Sequence, residues 1–243
     1  MFVIIQPNYP DMAVNKKIVF MVFMPVFLLC LCAQSAAAAK GLFGCTEIAG
    51  EGMALHEQFN PLWQRVLSAE RQNPSFTPGG ENFPPADAKS WGNLVRLANK
   101  SGTIEKIRLV NGFFNQWRPV SDETAFATPE HWATPKEFKA NRGGDCEDYA
   151  IAKYFALRFL GMDADLMRIV IVKDNSRSSK AELELHAVLA VWVNNSWFIL
   201  DNNARPRNNL PLDYMYNGRY SPLYSVNEDG AWGYKETAEI KLR

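Results

Sequence analysis

Gly143-Gly144-Asp145-Cys146-Glu147-Asp148-Tyr149-Ala150-Ile151-Ala152-Lys153-Tyr154-Phe155-Ala156-Leu157-Arg158-Phe159-Leu160-Gly161 separates a helical half of the chain from a strand-rich half. The glycine pair breaks what precedes it. Asp145 suits the N-cap of a new helix, and Asp148, three residues on, makes a variant of the capping box. Tyr149, Ala152, Lys153, Ala156 and Phe159 follow a helical stripe, and Gly161 ends it as a C′ glycine. The spacing predicts a helix over 145–159 with a cysteine at its first position.

Upstream, residues 51–70 space Met53, Leu55, Phe59, Leu62, Trp63, Val66 and Leu67 nearer a period of 3.6 than of 2. Residues 87–99 and 104–117 read as further helices, with a Pro- and Gly-rich loop over 74–85. A polar segment with Pro119, Pro129 and Pro135 leads into a short helix over 135–140. Downstream, 167–173 is β-branched and apolar, and 174–180 is a polar loop. Residues 185–193 are apolar on both faces, as in a buried central strand. Asn194-Asn195 turns the chain, 196–200 returns, and 224–227 and 231–234 are short final strands. Helices first and antiparallel strands last give an α+β architecture.

The N-terminus reads as a targeting segment. Asn15-Lys16-Lys17 is positive, 18–33 is almost purely apolar, and Gln34 to Ala39 offers small residues for cleavage. Met12 is a plausible start. The apolar run falls short of the roughly 20 residues a spanning helix needs, and Pro25 interrupts it. The expectation is therefore a cleaved signal at 1–39, a single domain over 40–243 and a periplasmic location. The chain carries 26 basic and 26 acidic residues. Losing Lys16, Lys17 and Asp11 leaves it barely acidic, which gives no basis for nucleic-acid binding. Cys30 and Cys32 leave with the signal, so only Cys45 and Cys146 remain, too few for a disulfide scaffold. Cys45 falls in what reads as a frayed start.

A free cysteine in an exported chain raises the question of reactivity. Helix N-termini favour thiolates through unpaired N–H groups and the macrodipole. The glycines before Cys146 leave room for a substrate chain, and its own N–H could serve an oxyanion hole. The bland alternative, a buried structural cysteine, fits poorly beside Asp145, Glu147 and Asp148. Among the three histidines, His56 lies on the polar side of a helix and reads as solvated, and His131 sits in the proline-punctuated loop. His186 lies in the most apolar strand, where an imidazole wants a hydrogen-bond partner. With Asn194-Asn195 as a two-residue turn, Val193 faces Ser196 and Val188 faces Asp201. Asp201 then shares a face with His186 and lies diagonal to it, within side-chain reach. Taken singly, His186 is equally a satisfied core histidine and Asp201 a turn residue. Together with Cys146 they suggest a Cys–His–Asp arrangement. The acidic trio beside the sulfur opposes thiolate formation. A hard cation such as calcium would offset that, while no Cys/His spacing suits zinc.

The run 144–150, the His186-Ala187-Val188-Leu189 strand and Leu200-Asp201-Asn202 resemble the bacterial transglutaminase-like cysteine proteinases, and in particular their LapG-type branch. His131 to Phe138 and Ser225-Val226-Asn227 are weaker matches. The resemblance implies a papain-like, transglutaminase-type fold with Cys146, His186 and Asp201 as catalytic triad. It implies Ca2+ held by Asp145 and Glu147, with Asp148 as a further ligand, and cleavage of a large surface adhesin near its N-terminus at a pair of alanines. It also implies control by a LapD-like inner-membrane cyclic di-GMP receptor, which engages an exposed tryptophan, one of Trp91, Trp117 or Trp132. Two other readings of the same residues are a transglutaminase or amidase acting on cell-wall peptides, and a non-catalytic periplasmic binding module.

Overall fold

A computed structural model of the chain describes residues 41–77, 85–175, 185–203, 212–213 and 219–235. The expected signal segment, and most of the expected 174–180 loop, lie outside the described residues. In chain order the elements are β1 (Thr46–Ala49), α1 (Ala54–Gln72), α2 (Pro85–Ala98), α3 (Thr103–Phe114), α4 (Asp122–Phe126), α5 (Pro135–Asn141), α6 (Cys146–Phe159), β2 (Met167–Asp174), β3 (Leu185–Val193), β4 (Ser196–Leu200), β5 (Leu212–Asp213), β6 (Tyr220–Val226) and β7 (Ala231–Lys235). The strands form one antiparallel sheet in the order β1-β7-β6-β2-β3-β4-β5.

Side-chain alternation explains why the central strands read as continuous apolar runs. Ile169, Ile171, Ala187, Leu189 and Val191 pack with Trp63, Phe114, Tyr154 and the rest of the helical core. Val170, Val172, Val188 and Ala190 point the other way, into a second cluster with Leu42, Trp197, Ile199 and Tyr220. Both sheet faces are therefore covered. Among the described residues, no helix is long and apolar enough to cross a membrane.

Three elements were not expected from sequence: β1, α4 and β5. β1 is four residues long and gains its strand character from pairing with β7. Because of it, strands do not all follow the helices. Nor is Cys45 in a frayed segment: it lies between the 3-10 turn Leu42–Gly44 and β1, and Leu42 is fully buried. Among the described residues, Cys45 and Cys146 form no disulfide. His56 is not simply solvated either, since its Nδ1 lies 2.9 Å from the Tyr224 hydroxyl.

The termini of α6 are only half as expected. Gly161 has φ +84°, and the Gly161 and Met162 N–H groups donate to Arg158 O and Leu157 O, a Schellman closure. At the other end, Asp145 is the N-cap residue but its side chain makes no capping hydrogen bond. Asp148 does not complete a capping box: its Oδ1 accepts the Ala133 N–H at 2.6 Å. The full box belongs to α5, where Thr134 and Glu137 bond reciprocally and Pro135 opens the helix. The β3–β4 turn is of type I′, with φ of 51° and 61° at Asn194 and Asn195. Val193 faces Ser196 and Leu189 faces Leu200, so the register is the one counted from sequence.

Candidate active site

Cys146 stands at the first position of α6, where its sulfur meets the start of β3. The Ala187 N–H donates to Sγ at 3.3 Å, and Glu147 Oε2 lies 3.2 Å from the same atom. The glycines ahead of it answer to the protein's own packing more than to space for a ligand. A Cβ on Gly143 would sit 2.1 Å from Arg118 O, and one on Gly144 would sit 2.2 Å from Asp148 Oδ2. Burial, and next the Glu147 carboxylate, push the Cys146 thiol well above its ordinary value; the Ala187 N–H opposes them. An unassisted thiolate is therefore disfavoured here.

His186, the residue before Ala187, turns Nε2 to Asp201 Oδ1 at 2.9 Å. The turn register decides this contact, because a loop one residue longer or shorter would send Asp201 to the opposite face. Asp201 has no exposure. Its Oδ1 also accepts the Asn203 N–H at 2.8 Å, its Oδ2 accepts the Tyr220 hydroxyl at 2.6 Å, and its carbonyl accepts Asn115 Nδ2 at 2.9 Å. Burial alone would raise its pKa, but His186, Tyr220 and the Asn203 N–H outweigh it and hold the carboxyl at about 2. Beneath it lies Lys153, fully buried, with Nζ 3.5 Å from Leu200 O and 5.6 Å from the centre of the Tyr149 ring. Desolvation lowers the Lys153 amine to about 7 despite the nearby Asp201 charge.

The acidic group contains the expected Asp145 and Asp148 and adds Asp122. Single carboxylate oxygens of Asp122, Asp145 and Asp148 lie within 4.8 Å of one another. Glu147 touches both the sulfur and the Asp145 side chain. Asp122 was missed: it lies in the polar segment 23 residues before Asp145 in sequence, and no spacing links it to the cysteine helix. It arrives through α4, capped by Ser121, with its Oδ2 accepting the His131 N–H. Asp122 Oδ1, Asp145 Oδ1 and Asp148 Oδ2 are buried with no hydrogen-bond partner. Orphaned acceptors of this kind are costly, and an oxygen-seeking divalent cation is the species they fit. Burial, with the neighbouring acidic charges, raises Asp145 to about 6 and Asp148 to about 8.

Solved structures share this fold. LapG of Legionella pneumophila, calcium-bound, is 27% identical over 72% of this chain and 92% of its own, with a TM-score of 0.52. A second LapG structure from that organism is 28% identical, with a TM-score of 0.52, covering 72% and 91%. The EGTA-treated form is 27% identical, with a TM-score of 0.51, covering 72% and 92%. No curated protein sequence matches the chain. The architecture is the α+β, papain-like one. The profile of the bacterial transglutaminase-like cysteine proteinases matches residues 88–232, more than half of the sequence, and the chain belongs to that family.

Proposed function

We propose that the protein is an exported, calcium-assisted cysteine endopeptidase in which Cys146, His186 and Asp201 act together. The observation that carries this is the 2.9 Å His186–Asp201 contact, set one residue along β3 from the backbone N–H that touches the Cys146 sulfur. His186 takes the proton from Cys146, and the thiolate attacks the substrate's peptide carbonyl. Backbone N–H groups at the start of α6 stabilise the oxyanion. His186 then returns the proton to the leaving amine, and water hydrolyses the thioester by the same relay in reverse. Asp201, bonded to Nε2, fixes the imidazole tautomer and supports its charge.

Asp122, Asp145 and Asp148 would hold calcium, with Glu147 beside them. When bound, the ion supplies positive charge that offsets the carboxylates crowding the thiol. The calcium-bound and EGTA-treated forms of Legionella pneumophila LapG and the three orphaned oxygens support this assignment. By the same family likeness the substrate is a large surface adhesin, cut near its N-terminus at paired alanines in the periplasm, with release from the cell and dispersal of biofilm as the outcome. A LapD-like cyclic di-GMP receptor would sequester the enzyme. Trp91 and Trp132 are buried, whereas Trp117 is partly buried at the edge of the core, which favours Trp117 for that contact.

The test is Cys146→Ala. The variant is expected to fold, to keep its calcium-dependent thermal shift and to leave a purified adhesin N-terminal fragment intact. Cleavage by that variant would end the proposal.

A further inference from the structure

The catalytic carboxylate is held by a residue outside the expected trio, and a backbone irregularity puts it there. In β6, Tyr224 pairs with Ile171 and Pro222 pairs with Val172, so Leu223 is an extra residue opposite no partner. One inserted residue reverses the alternation of everything beyond it. Tyr224 and Val226 accordingly face the helical core, whereas Tyr220, an even number of residues away, faces the opposite side of the sheet. Val172, which pairs with both Pro222 and His186, points to that opposite side as well. Tyr220, His186 and Asp201 therefore meet on one face, contributed by β6, β3 and the end of β4. Proline suits this position because a bulge needs no ladder donor from it.

The contacts are close. The Tyr220 hydroxyl donates to Asp201 Oδ2 at 2.6 Å, while Oδ1 serves His186 and the Asn203 N–H. The Tyr220 ring lies 5.8 Å from the His186 ring, centre to centre. Arg219 sits 4.9 Å over the tyrosine ring and pairs with Asp174 at 3.1 Å. Tyr220 is 4% exposed, so water does not replace its hydroxyl readily.

We propose that Tyr220 is a positioning residue: through the bulge at Leu223 its hydroxyl locks the rotation of the Asp201 carboxylate and thereby the imidazole of His186. This rests on the triad reading above. A carboxylate with one free oxygen could turn about its χ2 angle and offer either oxygen to the ring. With both oxygens engaged, it offers Oδ1 alone.

The experiment measures alkylation of Cys146 by iodoacetamide in the calcium-loaded full chain, with the Cys45 peptide as internal reference in mass spectrometry. Tyr220→Phe removes one oxygen and keeps the ring. It is expected to slow Cys146 alkylation about ten-fold, the scale of a lost hydrogen bond to a charged acceptor, and to leave Cys45 unchanged. In an Asp201→Asn background the same change is expected to have little further effect, because it acts through that carboxylate. The His186 ring N–H proton, observed by NMR, is expected to move in Tyr220→Phe, which a loss of packing alone would not produce. Wild-type alkylation with an unmoved ring proton, or an undiminished effect in Asp201→Asn, would overturn the proposal. If His186→Ala leaves Cys146 alkylation unchanged, the triad reading itself fails. If His186→Ala slows it and Tyr220→Phe does not, only the role of Tyr220 fails. Should Tyr220→Phe not fold, 3-fluorotyrosine at position 220 retains ring and hydroxyl with a more acidic phenol. The ring proton must then still shift, and a constant resonance would refute the proposal.

Discussion

Replacing Lys153 by methionine removes a titrating amine from a site with no exposure and leaves a side chain of similar length. In the folded protein desolvation lowers the amine to about 7, against about 10.4 in the unfolded chain. The folded pKa is the depressed one, so the unfolded chain binds the proton first as pH falls. Stability is fully present above about pH 10 and declines as pH drops towards 7. The limiting loss is about 5 kcal/mol, and the part that falls between about pH 9 and pH 6 is about 2–3 kcal/mol. Asp201, held at about 2, stays ionised throughout that window. Removing the lysine charge therefore changes its energy by a constant offset. Urea unfolding of wild type and Lys153→Met at both pH values, with calcium held fixed, should find the variant's relative stability higher at pH 6 by that amount. An equal offset at the two pH values would refute the reasoning, since it would mean the amine titrates as if in water.

Calcium should raise the melting temperature and EGTA should reverse the rise, with about 4 kcal/mol of stabilisation at a thousand-fold excess over the dissociation constant. Differential scanning fluorimetry of Asp122→Asn should lose most of that shift, and a full shift would remove Asp122 from the ligand set. Gly144→Ala places a methyl 2.2 Å from Asp148 Oδ2; overpacking of this kind costs about 1–3 kcal/mol, and the displaced carboxylate should weaken the calcium shift as well, read by the same assay. Asp201 lies below its unfolded value of about 3.9, so it contributes stability above that pH that is lost as pH falls towards 2, about 2–3 kcal/mol in all. Acid titration followed by circular dichroism should be shallower for Asp201→Asn over that range.

What the sequence determined by itself was local. A glycine-flanked cysteine helix, a two-asparagine turn and the counted pairing of Val193 with Ser196 rest on capping, backbone conformation and period-2 alternation, all settled within a few residues. Those rules carried the reading as far as the His186–Asp201 contact. They failed at α6's first turn, where Asp148 had a nearer-looking partner in its own helix and took the Ala133 N–H instead. They could not reach Asp122, Tyr220 or β1. Asp122 enters on a five-residue helix with no spacing to the cysteine, and β1 is a strand only because β7 lies beside it. Tyr220 faces Asp201 because one extra residue in β6 reverses the alternation that sequence counting assumes. Local chemistry names the candidate groups, and long-range strand pairing chooses which side chains surround them, because a side chain's face depends on the partner strand as much as on its own residues.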